Sequence, residues 1–248
     1  MKVSIITCTY NSEETIRDTI LSVRNQTYNN VEHIIIDGAS TDNTLSIIKN
    51  EGHEGPIISE LDKGIYDAMN KGISVASGDI IGILNSDDIY PNSFLLSQVM
   101  EQFNLDSALD IVYGDLSYVK KNDTNKVIRK WVSKTYYNRF FENGNVPPHP
   151  TLFIKSSVYR RVGLFNLNYK LAADYEWMLK LFKKHHFKSL YLHRLMVKMR
   201  LGGATNKNLK NIVAQNKEIL EAWKNNELEA PIYLMPFRII KRLVQFIQ

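Results

Sequence analysis

The chain has 248 residues, 44% apolar and 23% charged, which suits one large domain or a domain with an added tail and excludes a wholly disordered chain. Its single cysteine, Cys8, excludes an internal disulfide and a thiolate zinc cage, and no run approaches the roughly 20 apolar residues of a membrane span. The formal charge of +5 is unevenly placed: ten Lys and Arg lie between Glu176 and Glu218 with no acid among them, which indicates an anionic, phosphate-rich partner or else a solvated face.

The first third alternates strand and helix signals. Residues 3–7 are a β-branched run, too short for a secretory signal and read as a strand. A cytoplasmic protein follows as the expectation. Asn11 or Ser12 is placed to cap a helix carrying Ile16, Ile20 and Val23, with Glu13 and Glu14 in its first turn. Strands are expected at 31–36, 57–60 and 79–84, and helices at 44–50 and 66–76. Such alternation implies an α/β fold, a mostly parallel Rossmann-like sheet flanked by helices, with ligands at the carboxyl ends of its strands. Thr9 to Asn11, Asp37, Glu60 to Asp62 and Asn85 to Asp88 should therefore share one rim.

The middle is less regular. A strand pair is expected at 110–120 and 126–132, around Lys121-Asn122-Asp123. An irregular segment, 143–150, holds Gly144 and three prolines, and a strand at 151–154 follows it. A short helix ends at Gly163, and a longer one is expected at 174–184. The chain divides into a catalytic domain over 1–205 and a helical extension over 206–248.

Asp87-Asp88 ends an apolar strand with two like charges, a pair that a hard divalent cation such as Mn²⁺ or Mg²⁺ would stabilise. The competing role is a turn with a helix cap. There is no GxxxxGK[ST] and no GxGxxG after a strand, so a diphosphate would need the cation rather than a glycine cradle. Asp174 opens a helix; it is a general base if an acceptor hydroxyl reaches it, and a helix cap otherwise. His149, between two prolines, either contacts a phosphate or sugar or holds its loop.

Five segments in order, VSIITCTYN (3–11), IIDGASTDNT (35–44), DKGIYDAMNKG (62–72), ASGD (76–79) and LNSDD (84–88), resemble the inverting, metal-dependent family 2 glycosyltransferases of the bacterial O-antigen and exopolysaccharide type. Looser matches follow at PHPTLF (148–153), GLF (163–165), ADY (173–175) and Gly202-Gly203. The resemblance implies a GT-A fold and transfer of a hexose, glucose or galactose, from a UDP-sugar. It implies Asp88 on the metal and Asp87 on the ribose or the metal. Cys8, through its backbone, and Tyr10 would hold the uracil, and Asp174 would be the base of a single inverting displacement. Three positions depart from the family pattern: Gly38 where a second aspartate often reads the base, Asn85 in place of Asp, and Ala173 in place of Glu. Asp37, Asp62 or backbone must then read the base.

Residues 236–248 read PFRIIKRLVQFIQ. On a helix, Arg238, Lys241, Arg242 and Gln245 form one polar stripe and apolar residues cover the rest, a pattern suited to a membrane surface or to packing on the domain. With the resemblance, this implies an undecaprenyl-diphosphate-linked acceptor and a peripheral location on the inner face of the cytoplasmic membrane, without nucleic acid. Two other classes compete. A nucleotidyltransferase would want a glycine-rich loop that residues 7–12 lack. A non-catalytic basic protein binding membrane or nucleic acid would leave the strand-end acids without a role.

Overall fold

A computed structural model of the chain describes residues 1–202 and 209–245. Gly203, Lys207, Phe246 and Ile247, which belong to patterns noted above, lie outside them. β-Branched runs form the first strands because stiff side chains fit a pleat that is covered on both faces. β1 (Val3–Thr9) is buried along its whole length. After it come α1 (Ile16–Arg24), β2 (Val31–Asp37), α2 (Thr44–Asn50), β3 (Ile57–Ser59), α3 (Ile65–Val75) and β4 (Ile80–Ile83). β2 pairs parallel with β1 and β3, and β1 parallel with β4. The α1 helix starts later than the Asn11–Ser12 cap implied, because Asn11 sits at φ 48° and the Glu13 carboxylate accepts from both nitrogens of Asn43.

The second half is β5 (Asp88–Ile89), α4 (Leu95–Leu105), β6 (Ile111–Lys120), β7 (Asp123–Trp131), β8 (Phe153–Lys155), α5 (Ser156–Val162), α6 (Ala173–Leu179), β9 (Ser189–Arg200), α7 (Leu209–Asn225) and α8 (Leu234–Val244). One sheet runs β3-β2-β1-β4-β8-β6-β9-β5, with β7 on β6. It is parallel through β3-β2-β1-β4 and again between β6 and β9; β5, β7 and β8 run antiparallel to their neighbours. Two-residue alternation splits the core: Ile6 and Cys8 face α3, α6 and α7, while Val3 and Ile5 face α4.

β9 falls inside the basic segment, which is not one charged surface. Lys180 pairs with Glu176, Lys183 with Glu142, Lys184 with Glu227, Lys188 with Asp106 and Arg200 with Asp18. Acids from other segments therefore cover much of the charge that looked unopposed along the chain. Helices α7 and α8 share the main core through Ile219, Ala222, Trp223 and Leu234. The Trp223 indole donates to the Tyr175 hydroxyl at 2.9 Å.

β2 carries a neutral histidine. His33 Nε2 lies 2.9 Å from Thr7 Oγ1, and its ring meets His53 edge-on at 4.9 Å. Burial, and secondarily His53, push its pKa from 6.5 down to about 3. The unfolded chain binds this proton first, so the stabilisation is full above pH 6.5 and is lost as pH falls toward 3. Between those limits His33 is expected to remove about 1.4 kcal/mol of stability per pH unit. Urea midpoints at pH 7, 6 and 5 should show this slope in the wild type and a shallower one in His33→Gln.

Candidate active site

A cleft of about 1030 Å³ opens at the carboxyl ends of the parallel strands. Cys8, Tyr10, Asp62, Asp87, His149 and Asp174 all line it. Sequence separation is large, but each sits on a strand end, a helix start or the loop between them.

The first wall follows β1. Tyr10 is 62% exposed, with its ring free to cover a flat ligand, and Cys8 lies beside it with a thiol whose pKa burial drives up. Gly38 explains the missing second aspartate. A Cβ built there would lie 2.5 Å from Asp62 Oδ2 and 3.5 Å from the Tyr10 ring. Asp62 thus occupies the space that a side chain at 38 would enter. Its other oxygen, Oδ1, accepts from the Gly64 amide at 2.8 Å. Asp37 is elsewhere: it is fully buried, away from the cleft wall, and accepts from the Ser40 amide and from the Ser40 and Ser59 hydroxyls. Its carboxylate fastens β2 to its neighbours.

The second wall carries Asp87, with Asp88 fully buried next to it in the chain. Burial raises the pKa of both; Asp87 raises Asp88 further, while Arg200 lowers both. Arg200 Nη1 donates to the Asp87 carbonyl at 3.0 Å, and its Nε donates to the Lys121 carbonyl at 3.0 Å. Asn85 Nδ2 donates to Asp88 Oδ2 at 3.1 Å, whereas Asp88 Oδ1 and Asn85 Oδ1 are buried without a hydrogen-bond partner among the described residues. Oxygens left this way next to a second carboxylate suit a hard cation. The described residues offer no group of three or more His, Cys, Asp or Glu able to hold a metal. A cation here would complete its shell with ligand phosphates and water, as Mg²⁺ does at phosphate sites.

The third wall carries Asp174, in the first turn of α6. Tyr66, from α3, donates to Asp174 Oδ1 at 2.9 Å. Glu218, from α7, accepts three successive amides, those of Lys170, Leu171 and Ala172, at 2.8 to 3.1 Å. That acceptor fixes the approach to α6 and so the direction of Asp174. His149 is nearly buried, packs edge-on against Phe165 at 5.5 Å, and has a pKa lowered by burial against the opposing pull of Asp174. Trp177 donates to the Gly163 carbonyl, and Asn70 makes two bonds to the Phe165 backbone. These contacts account for the GLF segment as a brace for this wall.

Across the mouth lies α8. Gly144, at φ 71°, lets it approach: a Cβ there would meet Phe237 C and Arg238 N at 2.8 Å. At its far end the Gln245 carbonyl accepts from the Lys130 amide at 3.1 Å. Arg238, Lys241, Arg242 and Gln245 line the cleft, while Ile240 and Leu243 on the opposite side are 53% and 60% exposed. The helix is inside-out for a packed amphipathic helix, since its polar stripe faces the protein. No role follows from the sequence for Tyr66, Arg129 and Glu218, and Arg200 and Arg238 stand out there only as members of the basic segment and of the polar stripe. Tyr66 alone carried a signal, because it lies within DKGIYDAMNKG.

The family model for Glycosyl transferase family 2 matches residues 4–165. A PGL/p-HBAD biosynthesis glycosyltransferase of Mycobacterium bovis is 29% identical over 208 residues, covering 82% of this chain and 78% of the relative. An Escherichia coli protein, the UDP-Glc:alpha-D-GlcNAc-diphosphoundecaprenol beta-1,3-glucosyltransferase WfgD, is 26% identical over 243 residues, covering 96% of this chain and 92% of the relative. Among solved structures, glucosyl-3-phosphoglycerate synthase from Mycobacterium tuberculosis, in complex with Mn²⁺, UDP and phosphoglyceric acid, superposes with a TM-score of 0.67 at 15% identity. That match covers 92% of this chain and 79% of the other, and shows the shared GT-A fold.

Proposed function

The chain belongs to glycosyltransferase family 2, and from that premise we propose that it moves a hexose from a UDP-sugar to a lipid-linked diphosphate sugar, with inversion. The observation that carries this reading is the convergence of Asp62, Asp87 and Asp174, from three distant segments, on one cleft.

Each wall then has a task. Tyr10 covers the uracil face, and Asp62 Oδ2 accepts from the base where a side chain at 38 would otherwise stand. Asp87 and Asp88 would hold Mn²⁺ or Mg²⁺, which when bound supplies positive charge against the leaving diphosphate. Asp174 takes the proton of the acceptor hydroxyl as that oxygen attacks the anomeric carbon. Tyr66 and Glu218 hold the carboxylate in place: Tyr66 by its hydrogen bond, Glu218 by fixing the backbone ahead of α6. His149 stays neutral beside it and offers one ring nitrogen to a sugar hydroxyl. Glucose and galactose are the leading sugars, and the similarity to WfgD along nearly the whole chain supports glucose. The direct test is turnover: purified protein with UDP-glucose or UDP-galactose, Mn²⁺ and a prenyl-diphosphate-linked N-acetylglucosamine. No glycosylated product from either donor would remove this reading.

The acceptor class has support from α8. No helix among the described residues is long and apolar enough to cross a membrane. The outward Ile240 and Leu243, with fully exposed Ile232 before the helix, offer an apolar strip for the bilayer interface. Ile240→Glu with Leu243→Glu is expected to lower partition onto anionic liposomes by about tenfold or more, since each side chain is worth roughly 1.5–3 kcal/mol on burial. Co-sedimentation measures this, and unchanged melting shows that the strip is not part of the core.

A further inference from the structure

The inner face of α8 remains without a task in the reaction just described. It presents Arg238, Lys241 and Arg242 at spacings of three and four, and all three line the cleft. Arg238 lies over the Tyr175 ring, 4.8 Å from its centroid, and its buried Nε has no hydrogen-bond partner among the described residues. Tyr175 follows Asp174 in the chain, so this guanidinium stands on the side of the base. A third guanidinium joins from β7: Arg129 lies 3.7 Å over the Tyr118 ring, and the neighbouring Lys130 amide bonds the Gln245 carbonyl of α8.

Arg242 faces the same cavity as Arg238 and Arg129 and repels both. Burial lowers the pKa of Arg238 and Arg129; Tyr175 and Asp174 raise that of Arg238 and Tyr118 raises that of Arg129, while Arg242 lowers both. The arrangement is stabilised when an anion enters between them. Guanidinium forks match phosphate oxygens two at a time.

We infer that the inner face of α8, with Arg129, is the seat of the acceptor's diphosphate, beside the Asp87–Asp88 corner that serves the donor: Asp88 and the Tyr118 under Arg129 flank Met199 in the sheet. The inference rests on the lipid-linked acceptor of the preceding reading. Two positions favour the acceptor over the donor as the source of this phosphate. Arg238 stands beside the base, where the acceptor hydroxyl must lie. The outer face of the same helix is apolar, so the lipid phase and the cations are about one helix diameter apart, roughly 10 Å. A lipid tail joined directly to a diphosphate has the same order: an apolar end, then the charge, then the sugar that reacts.

The test uses the full chain and two probes. Farnesyl diphosphate is titrated in chelator, where metal-dependent donor binding is silent, and UDP is titrated with Mn²⁺. Wild type is expected to bind both. Arg238→Gln and Arg242→Gln are each expected to weaken farnesyl diphosphate by about tenfold or more, with UDP affinity held within about twofold. Lys241→Gln, at the partly exposed edge, serves as a third variant should Arg238→Gln fail to fold. Unchanged farnesyl diphosphate affinity in the folded variants overturns the inference. So does a parallel fall in UDP affinity, which would give these cations to the donor. Inorganic pyrophosphate binding as tightly as farnesyl diphosphate also overturns it, because the lipid would then add nothing. Wild type that binds UDP but not farnesyl diphosphate overturns it while leaving glycosyl transfer to another acceptor standing. Wild type that does not bind UDP removes the underlying reading instead.

Discussion

Asp174→Asn is expected to lower kcat by roughly 10²–10⁴ while leaving UDP-sugar affinity within about twofold. Asparagine keeps the shape and can still receive the Tyr66 hydroxyl at its side-chain oxygen. It cannot take a proton from the acceptor. The Glu218 clamp on residues 170–172 is untouched, so the first turn of α6 should keep its place. The loss should therefore fall on the chemical step and not on the donor. Single-turnover rates together with donor titrations separate the two. A variant that turns over at a near-normal rate would give the proton to another group, with His149 next in line. Tyr66→Phe, by contrast, removes one hydrogen bond and leaves the base, so its effect should be closer to tenfold.

Asp87→Ala is expected to abolish the metal-dependent part of donor binding. In wild type, Mn²⁺ should tighten UDP-sugar binding well beyond its value in chelator; in the variant the two values should coincide. The reasoning is geometric. Asp87 is the carboxylate of the pair that reaches the cleft, and Asp88 is fully buried. With few protein carboxylates available, loss of one leaves the cation with too few hard ligands. Calorimetry at saturating and zero Mn²⁺ measures the difference, and continued tightening by Mn²⁺ would move the metal away from this corner. Asp88→Asn is expected to weaken the metal effect as well, because it alters the fully buried member of the pair, whose Oδ1 has no hydrogen-bond partner among the described residues. Comparing the two variants shows which carboxylate holds the cation and which supports it.

The first ninety residues were the readable part of the chain. There the strands are contiguous β-branched runs, the helices are short and the turns carry Asp, Asn and Gly, so local signals and the final sheet agree. Asp62 and Gly38 show the limit even in that region. Their exclusion of one another is a contact across 24 positions that neither residue betrays alone. Beyond residue 110 the local signal weakens. β9 is a twelve-residue strand, yet its lysine, two arginines and histidine hid its alternation inside a basic segment. Arg200 of β9 is covered by Asp18, and Lys183, Lys184 and Lys188 ahead of the strand by Glu142, Glu227 and Asp106, all far along the chain. The polar stripe of α8 was visible, but its direction was not. Whether such a stripe faces water or a cleft depends on Gly144 and on the Lys130 amide, tertiary contacts with no trace in the helix itself. Arg200 reads as one more cation, although its main work is to hold the Asp87 and Lys121 carbonyls.

The close approach at Gly38 has a consequence for how such an enzyme changes over generations. One carboxylate fits between Tyr10 and the end of β2, and it can be supplied from residue 38 or from residue 62, not from both in their present positions. Placing Asp at 38 while Asp62 remains sets two like charges against each other and obliges the partly exposed Asp62 side chain to swing away. Removing Asp62 first opens the space. The two substitutions are therefore strongly non-additive, and their order matters. An acid at 38 is expected to be tolerated better in an Asp62→Ala background than in the wild type, a difference that a double-mutant cycle of stability reads directly.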